Sequence, residues 1–577
     1  MRSDVFRTSL ETVLAYHERT KHHPRSYARA LGYLDWDTQP DPFRSYKASE
    51  FLRLDEVPPK AEPFYDAIFR SGGTEARAVD RASVSQLFYD SLALSAWKEM
   101  GNARWSLRVN PSSGALHPTE GYLLAGPIPD LSDSPALYHY SPFHHGLERR
   151  AALSSREWSE LSRPLPPGAV LVGLTSIHWR ESWKYGERAF RYCHHDVGHA
   201  IAAIALSASV LGWQAHLLEG WTDRQLAVLL GVAAQRGVEA EHPDCLLVIY
   251  PAGHVFPLEV RRTYRPTREL LARLSRIPMS GEPNQLSPAH HPWPVIDEVA
   301  EASVRVVPPP EAYWESRPQK QAHPPARASQ LSARQIIRQR RSAVALDGRT
   351  GLGRDTFYGM LERVLPKPGR VPMGSLPWKP AIHLVLFVHR VDGLDPGLYS
   401  FVRSPQALHD LKAAMRPEFE WSRPAGCPDD LPLFRLMQTD CRDAARSVSC
   451  HQEIASDGAF ALAMIAEFEP GLREYGTWFY KRLHWEAGAI GQVLYLEAEA
   501  AGVRSTGIGC FFDDALHEVV GLAGCRYQDL YHFTVGGAVD DPRLKTRPAY
   551  AHREGSSSSR LSSMTARRGV DCEVCVS

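Results

Sequence analysis

The stretch with the most chemistry to offer is Arg104–Leu124, RWSLRVNPSSGALHPTEGYLL. Pro111-Ser112-Ser113-Gly114 is a small-residue turn ahead of an extended run ending in Tyr122-Leu123-Leu124. Such a turn presents backbone N–H groups and two hydroxyls to whatever lies above it. A plain polar turn before a strand has the same composition, so other parts of the chain must decide between the two. His195 and His199 are four residues apart, on one face of a helix. They lack the intervening glutamate of an HExxH site and have no evident third ligand, so no metal is expected. His117 and His216 are cleft candidates without a role, and His144 and His145 read as solvated loop residues. Cys572 and Cys575 form a CxxC pair in a Ser/Arg-rich tail with no second pair, which gives no metal site.

The elements that must position these residues span 577 residues, enough for two large domains. Hydrophobic content of 44% and charged content of 23% fit a soluble globular chain. Lys+Arg and Asp+Glu balance at 66 each, so no basic field argues for nucleic acid or an anionic membrane. The first twenty residues are charged throughout and hold no apolar signal core. The apolar run His199–Leu218 is interrupted by Ser207, Ser209, Trp213 and Gln214 and reads as a buried helix, not a membrane span. The nine cysteines lack the spacing of a disulfide scaffold. The expected location is cytoplasmic.

Residues 1–60 mix helical pattern with loop: Leu10, Val13 and Leu14 are spaced for one helix face, and from Thr20 on the chain reads as an extended arm whose His and Arg residues are packing residues. An amphipathic helix is expected over Ala82–Leu92, continuing to Ala96-Trp97, and a long Ala-rich helix over Arg188–Leu211. Strands are expected at Ala136–Tyr140, Ala169–Ser176 and Leu246–Tyr250, with Val260–Tyr264 trailing the last. Residues 281–328 are rich enough in proline to oppose helix and sheet and to act as a linker. Beyond it come a helix at Ser332–Arg341, a strand at Ile382–Val388, helices at Ser456–Phe468 and Trp485–Ala501, and a strand at Leu530–Val535. The tail 554–577 is expected to be disordered. The two halves, 61–280 and 329–553, repeat each other. Tyr185-Gly186, His194, Gly198, Leu206, Ala208, Gly212, Asp223 and Gly231 recur 290 positions later as Tyr475-Gly476, His484, Gly488, Leu496, Ala498, Gly502, Asp513 and Gly521. Pro135–Tyr138 resembles Pro396–Tyr399. The expected fold is α+β, each copy packing one long helix on a sheet.

These motifs resemble the nitroreductase superfamily of flavin enzymes, especially its SagB/ThcOx-type dehydrogenases. Arg108 with Pro111–Pro118 is similar to that branch's PSxGxLxP stretch. Arg340-Arg341-Ser342 is similar to the RRS opening, Thr506–Phe511 with Asp513 to the late glycine turn, and Lys545-Thr546-Arg547 to the final basic pair. The resemblance implies FMN at a dimer interface, here an intramolecular pseudo-dimer that needs no second chain. Arg, Lys, hydroxyls and free backbone N–H groups suit the phosphate, and small residues suit the ring edge. One FMN site would take Arg340, Ser342, Gly507, Ile508, Gly509, Lys545 and Arg547 from the second half, and Pro111, Ser112, Ser113 and Gly114 from the first. A second site would set Arg70, Ser71, Glu219, Gly220 and Arg261 against the eroded turn Pro372–Pro377, and would be degenerate or empty. Lys184-Tyr185 matches the pair implicated in proton removal by azoline-oxidising relatives; the second copy has Glu474-Tyr475. The implied activity is oxidation of an azoline, or of a related small molecule or modified peptide, by hydride transfer to flavin. An NAD(P)H-dependent nitro- or quinone reductase, and a flavin-free scaffold or peptide-binding subunit, remain open alternatives.

Overall fold

The computed structural model describes residues 2–310, 331–367 and 369–553. The tail with Cys572 and Cys575, and 311–328 of the expected linker, lie outside the described residues. Two antiparallel sheets carry the chain. The first orders Glu50–Arg53 (β1), Gly146–Ala152 (β6), Ala136–Ser141 (β5), Thr119–Ala125 (β4), Val170–Ser176 (β7), His242–Pro251 (β9) and Trp213–Leu217 (β8). The second orders Leu433–Gln438 (β12), Gly397–Phe401 (β11), Ile382–Val388 (β10), Phe460–Glu467 (β13), Tyr527–Gly536 (β15) and Arg504–Ile508 (β14). A third sheet joins the halves: Lys545–Pro548 (β16), near the end of the described chain, pairs with Leu94–Met100 (β2), which pairs with Ala103–Arg108 (β3).

The helices that matter for the site are Arg2–Arg19 (α1), His178–Tyr185 (α2), Ala189–Val210 (α3), Pro294–Ala302 (α4), Ala333–Gln339 (α5) and Phe479–Ala500 (α6). Each of α3 and α6 has 22 residues, and they begin 290 positions apart. Every residue of α3 is buried, including Arg191, His194, His195, Asp196 and His199. A helix buried all round needs partners on every side. α3 packs on its own sheet and directly against α6.

The segments that follow α1 and α4 meet Asp513 and Asp223, 290 positions apart, in the same way. The His22 backbone N–H donates to Asp513 and the Asp513 N–H to the His22 carbonyl. Arg305 and Asp223 exchange the same pair of bonds. Salt bridges cross the interface in matching positions, Arg191 to Asp513 at 2.5 Å and Lys481 to Asp223 at 2.6 Å.

Three expectations need correction. Ser456–Phe468 is not a helix. Beyond the single turn Ile454–Asp457 it is β13, in mid-sheet between β10 and β15. A continuous apolar run buried on both faces carries no period that separates strand from helix. Ala96-Trp97 lies in strand β2, not in the preceding helix, which closes at Tyr89. The helix face expected at Leu10, Val13 and Leu14 is present in α1, which reaches the second half, where His17 bonds Gln528 at 3.1 Å. The proline-rich segment does hold a helix, because Pro294 stands at the first position of α4, where no N–H is needed.

Candidate functional site

The turn after β3 is built from backbone that few residues tolerate. Gly114, Ala115 and His117 all have positive φ. A Cβ on Gly114 would lie 2.7 Å from the Tyr185 hydroxyl and 3.3 Å from Lys184 Nζ, so glycine is needed for close approach as well as for φ. The turn therefore sits directly on the C-terminal end of α2. Pro111, Ser112 and Ser113 are buried. Ser112 Oγ accepts the His117 N–H at 2.8 Å, and the Ser113 N–H donates to Asp196 at 3.3 Å. Two of the turn's polar groups, one acceptor and one donor, are thus engaged inside its own half.

Asp196 and Glu181 form a buried carboxyl pair beneath the turn, and neither stands out in the sequence. Ser112 Oγ lies 3.5 Å from Glu181 Oε1, and the second oxygen of each carboxyl has no hydrogen-bond partner. Burial pushes Asp196 up to about 8, against the pull of Ser112, Ser113 and Arg108. Burial and the charge of Asp196 raise Glu181 well above the carboxylate range, while Lys184 works the other way. The one legible signal is that Glu181 precedes Lys184 by three residues, one helical turn.

From Lys184-Tyr185 the contacts cross to the second half. The Tyr185 and Tyr192 rings meet edge to face at 4.6 Å. The Tyr192 hydroxyl donates to the Gly509 carbonyl at 3.0 Å, and Arg188 reaches the same oxygen at 3.3 Å. Gly507, Ile508 and Gly509 end strand β14 and are buried. The Gly507 N–H donates to the Tyr495 hydroxyl at 2.9 Å, which also accepts Ser342 Oγ–H at 3.0 Å. Arg340, just beyond α5, lies with its guanidinium 4.9 Å from the Tyr495 ring and donates to the carbonyls of Arg108 and Val109 at 3.2 and 3.1 Å. The turn, the Lys-Tyr pair, the glycine turn and the RRS segment thus form one connected surface.

This surface is cationic where Arg340 enters. Burial, then Arg340 and Arg338, push Arg341 down to about 9. Burial and Arg341 also lower Lys98, whose Nζ is 2.8 Å from Thr546 Oγ1. Arg340 Nε has no partner. Buried cations crowded this way are relieved by an anion, and the donor set suits the phosphate of FMN. Lys545 and Arg547 do not share in it. Both are exposed on β16, opposite Glu99 and Trp97, and Arg547 pairs with Glu99 at 3.0 Å. Strand alternation instead pairs Thr546 with Lys98, a residue the sequence reading missed.

The second expected set is assembled differently. Arg70 is exposed and bridges Arg370, and the Ser71 N–H donates to the Gly369 carbonyl. Arg261 bonds His216 at 3.2 Å, and His216 meets the Gly374 backbone of the eroded turn. Glu219, however, is held between Arg305 and Arg482, and Gly220 is pressed against the Tyr264 carbonyl. Asp66 and Glu497 pair with Arg363 nearby. The acids here engage Arg305, Arg482 and Arg363, while Arg261 turns to His216 and the Phe256 carbonyl; at the first set Glu499 acts on Arg340 and Arg341.

His195 and His199 do not converge on a metal-binding group. His195 stacks on Tyr531 at 4.4 Å, and His199 lies 3.3 Å from both Gln492 and Tyr531. Among the described residues the group with metal-like spacing is Glu18, His23 and Asp514, and Lys21 Nζ already sits 2.8 Å from both of its acids. His145 is not solvated: it is buried and bonded to Tyr140 and Ser85. His117 is buried on the Ser106 carbonyl at 3.1 Å, while His144 is exposed. No helix among the described residues is long and apolar enough to cross a membrane.

Comparison with known proteins follows the same lines. Residues 406–537 match the Nitroreductase family. The trifolitoxin-processing protein TfxB of Rhizobium leguminosarum bv. trifolii is 34% identical over 111 residues, 18% of this chain and 29% of that protein. A provisionally assigned nitroreductase of Methanocaldococcus jannaschii is 25% identical over 128 residues, 21% of this chain and 63% of that protein. The chain thus spans less than two thirds of either curated relative. A crystal structure of a provisionally assigned nitroreductase from Anabaena variabilis superposes with a TM-score of 0.65 and 22% identity, over 92% of this chain and 99% of that one. The chain therefore has a mixed α+β, nitroreductase-like fold over most of its length, with a nitroreductase family domain at residues 406–537.

Proposed function

We propose that the chain is an FMN-dependent oxidoreductase built as a fused pseudo-dimer. Its best-supported activity is SagB/ThcOx-like oxidation of an azoline or related heterocycle in a small molecule or modified peptide. The observation that carries this reading is the connected surface from Gly114 through Lys184-Tyr185 and Tyr192 to Gly509, closed by Arg340 on the Val109 carbonyl. The relative named for processing trifolitoxin agrees with a modified-peptide substrate.

Arg340, Arg341, Lys98 and Ser342 would hold the phosphate, and Gly507–Gly509 would lie along the ring edge without side chains in the way. Bound FMN supplies the hydride acceptor. The chain's own task is the proton: Lys184 or Tyr185 takes it from the substrate carbon, and the Glu181/Asp196 pair behind Ser112 can exchange protons with that base. The matched ion pairs and equal helices support the fused duplication. The engagement of Glu219 by Arg305 and Arg482 supports a single working site.

The test is to purify the full chain, saturate it with FMN and measure flavin per protein. One FMN per chain is expected. Two would overturn the single-site reading, and none would leave the scaffold reading. Anaerobic bleaching of the bound flavin by a thiazoline peptide, and not by NADPH, is expected. The reverse pattern would make the chain a nitro- or quinone reductase.

A further inference from the structure

Seven cysteines lie among the described residues, and Cys450 and Cys510 approach each other, Sγ to Sγ, at 2.9 Å. Both are partly exposed. Cys510 directly follows Gly509, the last residue of the glycine turn. Cys450 stands in the loop after helix Arg442–Val448, where it and His451 are held at positive φ, a strained conformation for both. The two loops are stitched together on either side of the sulfurs. Gln452 Nε2 donates to the Cys510 carbonyl at 2.9 Å, and the Phe512 N–H donates to the Val448 carbonyl at 2.8 Å. Sulfurs held in such a frame need to close only to about 2.05 Å to bond.

Arg188 bonds the Gly509 carbonyl and lies 4.7 Å from the Phe511 ring, so a guanidinium flanks Cys510 on both sides in sequence. Burial works against the Arg188 charge, but Asp513, Tyr192 and the Cys510 thiol lift its pKa above the ordinary range. Arg188 is itself held by Asp513 at 2.8 Å, which fixes its place beside the Cys510 loop.

We propose that Cys450 and Cys510 are a reversible dithiol–disulfide pair that couples the redox state of the surroundings to the glycine turn of the cofactor site. The Cys510 thiolate attacks a small-molecule disulfide, whose S–S bond breaks and releases one thiolate. The Cys450 thiolate then attacks the Cys510 sulfur of the mixed disulfide and displaces the second thiol. The protein loses two electrons and two protons, and the small disulfide is reduced to two thiols. Closure draws Cys510 toward Cys450 and strains the bonds that Tyr192 and Arg188 make to Gly509 next door. The disulfide stands on the thiol geometry alone; its coupling to the cofactor rests on the flavin reading above.

The full chain is equilibrated in oxidised or reduced glutathione, digested and mapped by mass spectrometry. A peptide linked through Cys450 and Cys510 is expected in the oxidised sample, absent from Cys450→Ser and Cys510→Ser, whose melting temperatures should match the reduced wild type. Glutathione on either cysteine without the link, or no reaction under full oxidation, overturns the pair. FMN titration by fluorescence quenching then tests the coupling. Affinity about tenfold weaker in the oxidised protein, with Cys450→Ser indifferent to oxidant, supports it. Equal affinity in both states overturns the coupling and leaves the disulfide standing. No FMN binding in either state overturns the flavin reading, with the disulfide still judged by its linked peptide.

Discussion

Gly198 on α3 and Gly488 on α6 face each other across the centre of the molecule. A Cβ on Gly198 would run into the Trp485 carbonyl, and one on Gly488 into the His195 carbonyl. The two collisions are equivalent, since 290 positions separate the glycines and also their obstacles. The closest approach of the two helices is therefore set by two hydrogen atoms.

Gly198→Ala and Gly488→Ala should each destabilise the chain by about 1–3 kcal/mol, the usual cost of overpacking against an unyielding backbone. Gly359→Ala is the contrasting case. That glycine is inside a helix with nothing near its Cβ position, and the change should stabilise by up to about 1 kcal/mol. Urea unfolding of the three variants checks the ordering.

Gly114→Ala would press a methyl group onto the Tyr185 hydroxyl. FMN content should stay near wild type while turnover falls at least about tenfold, because a displacement of about 1 Å at a reacting group costs far more in rate than in binding. Lys184→Met and Tyr185→Phe should separate the two candidate bases. The variant that flattens the pH–rate profile identifies the proton acceptor.

Arg340→Met should weaken FMN binding by about 1.5–3 kcal/mol, the range for a hydrogen bond to a charged group. Arg547→Met should change it little, because Arg547 is exposed and engaged with Glu99. Lys98→Met should fall between them. Equilibrium FMN titrations of the three variants decide whether the cation cluster or the β16 basic pair grips the phosphate.

Stability should fall on both sides of neutrality. Burial raises Asp196 to about 8 and Asp244 to about 7. The unfolded chain sheds these protons first, so stability declines as pH rises from about 4 to about 8. Burial lowers His199, His216 and His484 to about 3 and His242 and His389 to about 4. The unfolded chain therefore takes up protons first as pH falls below about 6.5, and stability is lost on that side too. Asp196→Asn should flatten the alkaline limb and steepen the acid limb, because the Asp196 contribution runs through both from about pH 4 to about pH 8, as read by melting temperature across pH.

Much of this was legible in the chain. Both long helices were legible, because helix periodicity and glycine spacing are local properties, although α6 starts at Phe479 and not at the expected Trp485. The PSSG turn, the RRS segment and the glycine turn were identifiable because turns and helix ends have residue preferences written into φ and ψ. β13 was misread because burial on both faces erases periodicity. Lys98 was missed and Lys545 and Arg547 overvalued because a strand's outward face depends on its partner, and β16 pairs with β2 more than four hundred residues away. Glu181 shows only its three-residue spacing from Lys184, and Asp196 and the Cys450–Cys510 pair show none. The sequence alone determined which local pieces exist. Only the packing of α3 against α6, with the exchange of β16, decided which pieces meet, because charge, burial and proximity between distant residues are properties of the assembled fold.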